Sequence, residues 1–171
     1  MRCLGIDQSY TQLGISLVEG NSIKDGKIVQ VKWYNYKGMK SKSEKRKFVR
    51  KLVKHAIKKY NPDVILVERI RTFSQKFIST AYIKTTGALI GTIVDAAYPN
   101  KVYSIDTRCW KSRVCGSSKG MHKADKGVSV RYVMKRFGTV YNDDAADAIC
   151  IALAGLNFDK LMKSKLLKEE D

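Results

Sequence analysis

Apolar residues fall first in a period of two and then in a period near four. Residues 2–7, 12–18 and 27–36 are dense in Val, Ile, Leu, Tyr and Trp and are separated by Gly20-Asn21 and Asp25-Gly26, which predicts three consecutive antiparallel strands. After Gly38 the spacing lengthens. Phe48, Leu52, Ala56 and Tyr60 recur with Val49, Val53 and Ile57 beside them, and Ser41 with Glu44 reads as a capping box, so a helix with one apolar stripe follows. Its other face carries Lys45, Arg46, Arg50, Lys51, Lys54, Lys58 and Lys59, a solvated face first and a DNA contact second.

The run Val64 to Val67, entered through Pro62 and ending in Glu68, predicts a strand buried on both faces. Residues 77–97 are apolar nearly all round, which fits either an internal core helix or a subunit interface where Gly87 and Gly91 admit a second helix. "KVYSID" predicts a last short strand and "RCWKSRVCG" a short helix stopped at Gly116. A basic loop over 117–126, a helix stopped by Gly138 and a final helix capped near Asn142 complete the pattern. The expectation is one α/β domain over residues 1–157, with helices flanking a five-stranded mixed sheet in which three antiparallel strands precede two parallel ones. Residues 158–171 form a charged tail expected to fray.

Charge then narrows the partner. Among 171 residues, Lys and Arg number 33 against 16 for Asp and Glu, a net charge of +17, which attracts a polyanion, nucleic acid before all others. No apolar run is long enough to span a bilayer and no secretory signal opens the chain, so a cytoplasmic protein with no membrane partner is expected. The four cysteines lack C-x-x-C spacing and the two histidines are not paired with them, which argues for reduced thiols rather than zinc.

The carboxylates stand out against that basic background. Asp7 and Glu68 each end a predicted strand, where sites collect in open α/β sheets, and "YNDDAADAICIALAGL" puts Asp144 and Asp147 on one face of a helix's first turn. Capping and dipole matching explain the helix aspartates alone. They do not explain the set, because carboxylates gathered near a core repel one another unless a cation compensates them. A pair of Mg²⁺ ions is the simplest compensation and suits phosphoryl chemistry.

"LGIDQS", "VILVERI", "WKSRVCG" and "NDDAADAICIA", in this order over residues 2–156, resemble the RuvC-type Holliday-junction resolvases of the ribonuclease H-like superfamily. The resemblance implies a ribonuclease H-like fold and a homodimeric endonuclease that nicks opposed strands of branched DNA, the four-way junction above all, leaving 5′-phosphate and 3′-hydroxyl ends. It implies two Mg²⁺ or Mn²⁺ ions per subunit on Asp7, Glu68, Asp144 and Asp147, with Lys111 and Lys126 near the scissile phosphate and Phe73 beside the junction centre. Arg69, Arg71, Lys76, Lys119 and Lys123 join Phe73, Lys111 and Lys126 as expected DNA contacts. Gln8-Ser9 replaces the Pro-Gly usual in bacterial members, and the loop "GSSKGMHKADK" also differs. The chain also resembles resolvases carried by bacteriophages of Gram-positive bacteria, which implies a debranching role in phage replication and packaging and leaves open any branch-migration partner. Two rivals stand beside this reading: a nuclease of RNA or RNA:DNA hybrids, and a non-catalytic basic protein that binds branched DNA.

Overall fold

Strand β1 (Arg2–Gln8) pairs antiparallel with β2 (Gln12–Glu19), which pairs antiparallel with β3 (Lys27–Asn35). These are the three predicted strands. The computed structural model describes residues 1–69, 80–116 and 127–170. Strand β4 (Val64–Glu68) lies parallel to β1, and β5 (Val102–Ile105) parallel to β4.

A core covers each face of the sheet. On one face, Leu4, Ile6, Leu13, Ile15 and Leu17 pack against helix α1 (Lys42–Tyr60) through Val49, Val53 and Ala56, and against α2 (Thr80–Ala97) through Leu89 and Ile93. The capping box is formed in full: Glu44 N–H donates to Ser41 Oγ at 3.0 Å and Ser41 N–H to Glu44 Oε2 at 3.2 Å. Lys45 departs from the reading of a solvated face, being 5% exposed. Its ammonium donates to the Tyr10 carbonyl at 3.2 Å and sits 4.0 Å from the Tyr10 ring centroid, which replaces much of the water it gives up.

Helix α2 is apolar all round only by sequence. Leu89, Ile90, Ile93, Ala96 and Ala97 are buried, whereas Lys84, Gly87, Ala88, Gly91 and Asp95 are exposed, and a Cβ at Gly87 or Gly91 would meet nothing within 4 Å.

The other face carries α3 (Thr107–Cys115), α4 (Val128–Phe137) and α5 (Asp143–Gly155). Helix α5 is buried from Ala145 onward except at Asp147. It lies so close to the sheet that a Cβ on Gly5 would collide with the Ala148 carbonyl and the Ala152 amide, and one on Gly14 with the Asp144 carbonyl. Both positions therefore require glycine for space rather than for conformation.

The sheet has six strands in the order β3-β2-β1-β4-β5-β6, not five. The tail expected to fray holds helix α6 (Phe158–Lys163) and strand β6 (Leu167–Glu170), which pairs antiparallel with β5. Its anchors are sparse but real. Leu161 is buried, the Phe158 ring stands edge-on to Tyr103 at 4.9 Å, and Lys101 pairs with Glu169 at 2.9 Å. The short β5 would otherwise present an open edge, and β6 satisfies its main-chain groups.

Gly5→Ala tests the close packing of α5. The added methyl meets backbone on the helix, which cannot rotate away, so we expect a loss of about 2–3 kcal/mol, read in thermal unfolding as a fall in Tm of roughly 5–10 °C. An unchanged Tm would mean that α5 tolerates displacement from the sheet.

Candidate active site

Sheet pairing sets Ile6 beside Val67 in parallel strands, so Asp7 and Glu68 emerge side by side where β1 and β4 end. Across the antiparallel pair, Asp7 lies opposite Gly14, the residue against which the Asp144 carbonyl packs. Helix α5 begins there. Asn142 caps it by accepting the Ala145 N–H at 2.9 Å, and the first turns present Asp144 and Asp147 toward the strand ends. Three separate elements thereby deliver four carboxylates to one place.

Electrostatics follow from that crowding. Asp7 is 8% exposed, and burial first, then Glu68, Asp147 and Asp144, push its pKa well above the ordinary aspartate value; Lys111 opposes them. Burial lifts Asp147 to about 6, against a hydrogen bond from Ser129 and the charge of Lys111, with Glu68 and Asp143 adding to the rise. Asp144 is raised by burial and by Asp143, with a hydrogen bond from Trp33 acting in the opposite direction. Asp143 is exposed and bears on the site through its charge.

Each carboxylate beside Asp7 is held by a neutral donor. Trp110 Nε1–H donates to Glu68 Oε1 at 3.3 Å, Trp33 Nε1–H to Asp144 Oδ2 at 3.2 Å, and the Ser129 hydroxyl to Asp147 Oδ1. The chain has only two tryptophans, and both are used here. Sequence reasoning took Trp33 as a strand residue and left Trp110 and Ser129 unassigned, because a donor that reaches across the fold leaves no local pattern. Gln8 stands out in the sequence only as a departure from the family's Pro-Gly, whereas here it closes β1. Its Nε2–H donates to the Glu68 carbonyl at 2.7 Å, tying the ends of β1 and β4, while its buried Oε1 has no donor among the described residues. Tyr36 closes the turn after Asp7, its hydroxyl donating to the Gln12 and Ser9 carbonyls.

The expected cations divide. Lys111 faces the site, its charge favouring ionised Asp7 and Asp147, with its ammonium 5.1 Å from the Trp110 ring centroid. Arg69 is engaged elsewhere: Nε–H and an Nη2–H donate to the Ser104 hydroxyl and carbonyl at 3.1 and 3.2 Å, fastening the end of β4 to β5. Arg71, Phe73, Lys76, Lys119, Lys123 and Lys126 lie outside the described residues. Among the described residues, no three His, Cys, Asp or Glu side chains close on a single point that a metal ion could occupy. No helix among them is long and apolar enough to cross a membrane.

The chain matches the family model described as crossover junction endodeoxyribonuclease RuvC over residues 3–155. Among solved structures it is similar to Thermus thermophilus RuvC in complex with Holliday junction substrate, with a TM-score of 0.74, 18% identity and 99% of each chain covered. A second Thermus thermophilus RuvC structure gives a TM-score of 0.74 at 20% identity, covering 99% of this chain and 100% of that one. The yeast mitochondrial Holliday junction resolvase Ydc2 gives 0.61 at 17% identity, with 95% and 80% covered. These likenesses bear out the mixed α/β, ribonuclease H-like fold, with the sixth strand as the one difference from expectation. None of the three is a phage protein, so the phage affiliation gains no support from them. No curated protein matches the sequence.

Asp147 gives a pH test. Its carboxyl holds its proton more tightly when folded, with a pKa of about 6 against 3.8, so between pH 4 and 6 the native state binds more protons than the unfolded one. Stability of the metal-free protein therefore falls as pH rises through that window. Asp147→Asn, measured in chelator, is expected to be more stable than the parent by about 1–3 kcal/mol at pH 7, with the gain vanishing at pH 4. A gain that is the same at both pH values would remove ionisation as its cause.

Proposed function

The chain belongs to the RuvC family of crossover junction endodeoxyribonucleases, and on that premise we propose that it is a homodimeric, metal-dependent resolvase that nicks opposed strands of a four-way DNA junction, leaving 5′-phosphate and 3′-hydroxyl ends. One observation carries the reading: a buried aspartate, Asp7, with three carboxylates pressing on it and Lys111 as the opposing charge. Such a cluster is costly in water-free surroundings unless a cation joins it.

The donor set fits Mg²⁺ or Mn²⁺, being made of hard carboxylate oxygens. The unsatisfied Oε1 of Gln8 fits too, since a hydrated cation brings the donors it lacks. Asp7, Glu68, Asp144 and Asp147 would hold the ions, two per subunit. Bound there, divalent ions supply Lewis-acid stabilisation of the phosphoryl centre and a nucleophilic water at neutral pH. The chain's own groups do the rest. Trp110, Trp33 and Ser129 hold three of the carboxylates in orientation, Gln8 fixes the spacing of β1 and β4, and Lys111 stands ready to take charge from a phosphate. Lys126, Phe73, Arg71, Lys76, Lys119 and Lys123 keep the DNA-facing roles that the family resemblance implies, whereas Arg69 is read as an anchor of the sheet.

Dimerisation is proposed through α2, whose exposed Gly87 and Gly91 allow close approach of a second helix. Action in the cytoplasm and in phage replication and packaging rests on the sequence alone.

The decisive experiment compares nicking and junction binding for Asp7→Asn. Losing the charge is expected to cost more than about 100-fold in Mg²⁺-dependent cleavage, while binding stays equal or tightens because a repulsion of phosphate is gone. Cleavage at the parental rate would end the metal-site reading, and cleavage of a matched RNA junction in preference to DNA would end the substrate assignment. For the dimer, sedimentation should give twice the chain mass for the parent and a shift to monomer for Gly91→Leu. A monomeric parent on bound DNA would exclude paired nicking by this route.

A further inference from the structure

Between the start of α1 and the second and third turns of α2 lies a groove of about 190 Å³. Its rim carries Lys42, Arg46 and Lys84, with the buried Lys45 beneath them, and its floor is apolar, formed in part by Ala88 and Leu89; no acidic side chain lines it. Helices α1 and α2 carry one carboxylate each and both are committed, Glu44 to the Ser41 amide in the helix cap and Asp95 to Arg50 at 3.0 Å. Among the described residues, Lys42, Arg46 and Lys84 have no carboxylate partner.

Lys45 connects this groove to the candidate active site. It is buried, and its ammonium reaches the Tyr10 carbonyl and ring. Tyr10 follows Asp7 by three residues, a chain reach of at most about 10 Å. Successive phosphates along one strand of a duplex advance about 3.4 Å along its axis, so the groove lies a few nucleotides from a phosphate held at Asp7.

We infer that this groove is a second DNA-backbone site, taking the sugar-phosphate chain of the junction arm next to the cut, with deoxyribose against Ala88 and phosphates on the cationic rim. The inference rests on the nucleic-acid substrate proposed above. A second copy of the chain is the poorer occupant, because the rim presents only positive charge to a molecule of net charge +17. Contacts of this kind fix register and carry no sequence information.

The test is the salt dependence of binding to a synthetic four-way junction in chelator, for the parent, for Lys42→Gln/Arg46→Gln/Lys84→Gln, and for Lys51→Gln/Lys54→Gln/Lys58→Gln on the exposed side of α1 as a charge-matched control. Lys42, Arg46 and Lys84 are exposed, so the fold is not at risk, and the buried Lys45 is left in place. Each lost phosphate contact lowers the log–log slope by about 0.9. The groove variant is expected to be shallower by about 2–3 and to bind at least about tenfold more weakly at 0.1 M salt. The control should keep the parental slope. Equal slopes in all three proteins, equal losses in both variants, or a change in sedimentation without a change in slope would each overturn the proposal, the last by giving the groove to a second subunit. A parent that binds no junction would overturn the nucleic-acid reading itself, an outcome distinct from a parent that binds and a variant that binds identically.

Discussion

Contact between helix α5 and strands β1 and β2 governs the rest of the molecule. At Gly5 and Gly14 helix backbone occupies the space that side chains would need, and alanines supply much of the buried helix surface. A larger residue at either strand position would lift the helix, and with it the aspartates of its first turns, away from the strand ends that carry Asp7 and Glu68. The site is thus a consequence of a packing distance. Fold and chemistry are constrained by the same two glycines.

That packing also creates the electrical problem of the site. Bringing α5 down removes water from Asp7 and Asp147, and burial is the largest cause of the raised pKa of each. Neutral donors answer the problem in part. An indole N–H or a hydroxyl orients a carboxylate without cancelling its charge, so Trp33, Trp110 and Ser129 leave the cluster charged and available, as a lysine or arginine in their place would not. Stability is given up at such a place for function.

Most of the framework was legible in the sequence because it is written in local patterns. Alternation gave β1 to β3, the apolar run gave β4, and Ser41 with Glu44 and Asn142 gave two helix starts that the structure reproduces by hydrogen bonds. Strand β6 was hidden because its identity is not local. "LKEE" has no apolar face of its own, and it becomes a strand by completing an edge that β5 leaves open. Lys45 was misread for a related reason: its place on the helix suggests solvent, whereas the turn after Asp7 folds over it. The carboxylates were found because acidic residues are conspicuous in a basic chain. Their donors were not, because tryptophan, serine and glutamine at those positions fit ordinary strand and helix roles equally well.

Charge in this protein is divided between distance and contact. At long range the excess of lysine and arginine draws a polyanion in, and the attraction weakens with salt as counterions are released. At contact the carboxylate cluster repels the phosphate that must come closest. On the proposed metal-dependent reading, binding free energy from many remote basic contacts would have to hold the reacting group against local repulsion, which the cations held by these carboxylates would relieve. Substrate affinity and catalytic competence are then carried by different residues. This separation is what differential stabilisation of a transition state requires, because tighter ground-state binding at the cluster itself would lower the energy of the bound substrate without lowering the barrier above it.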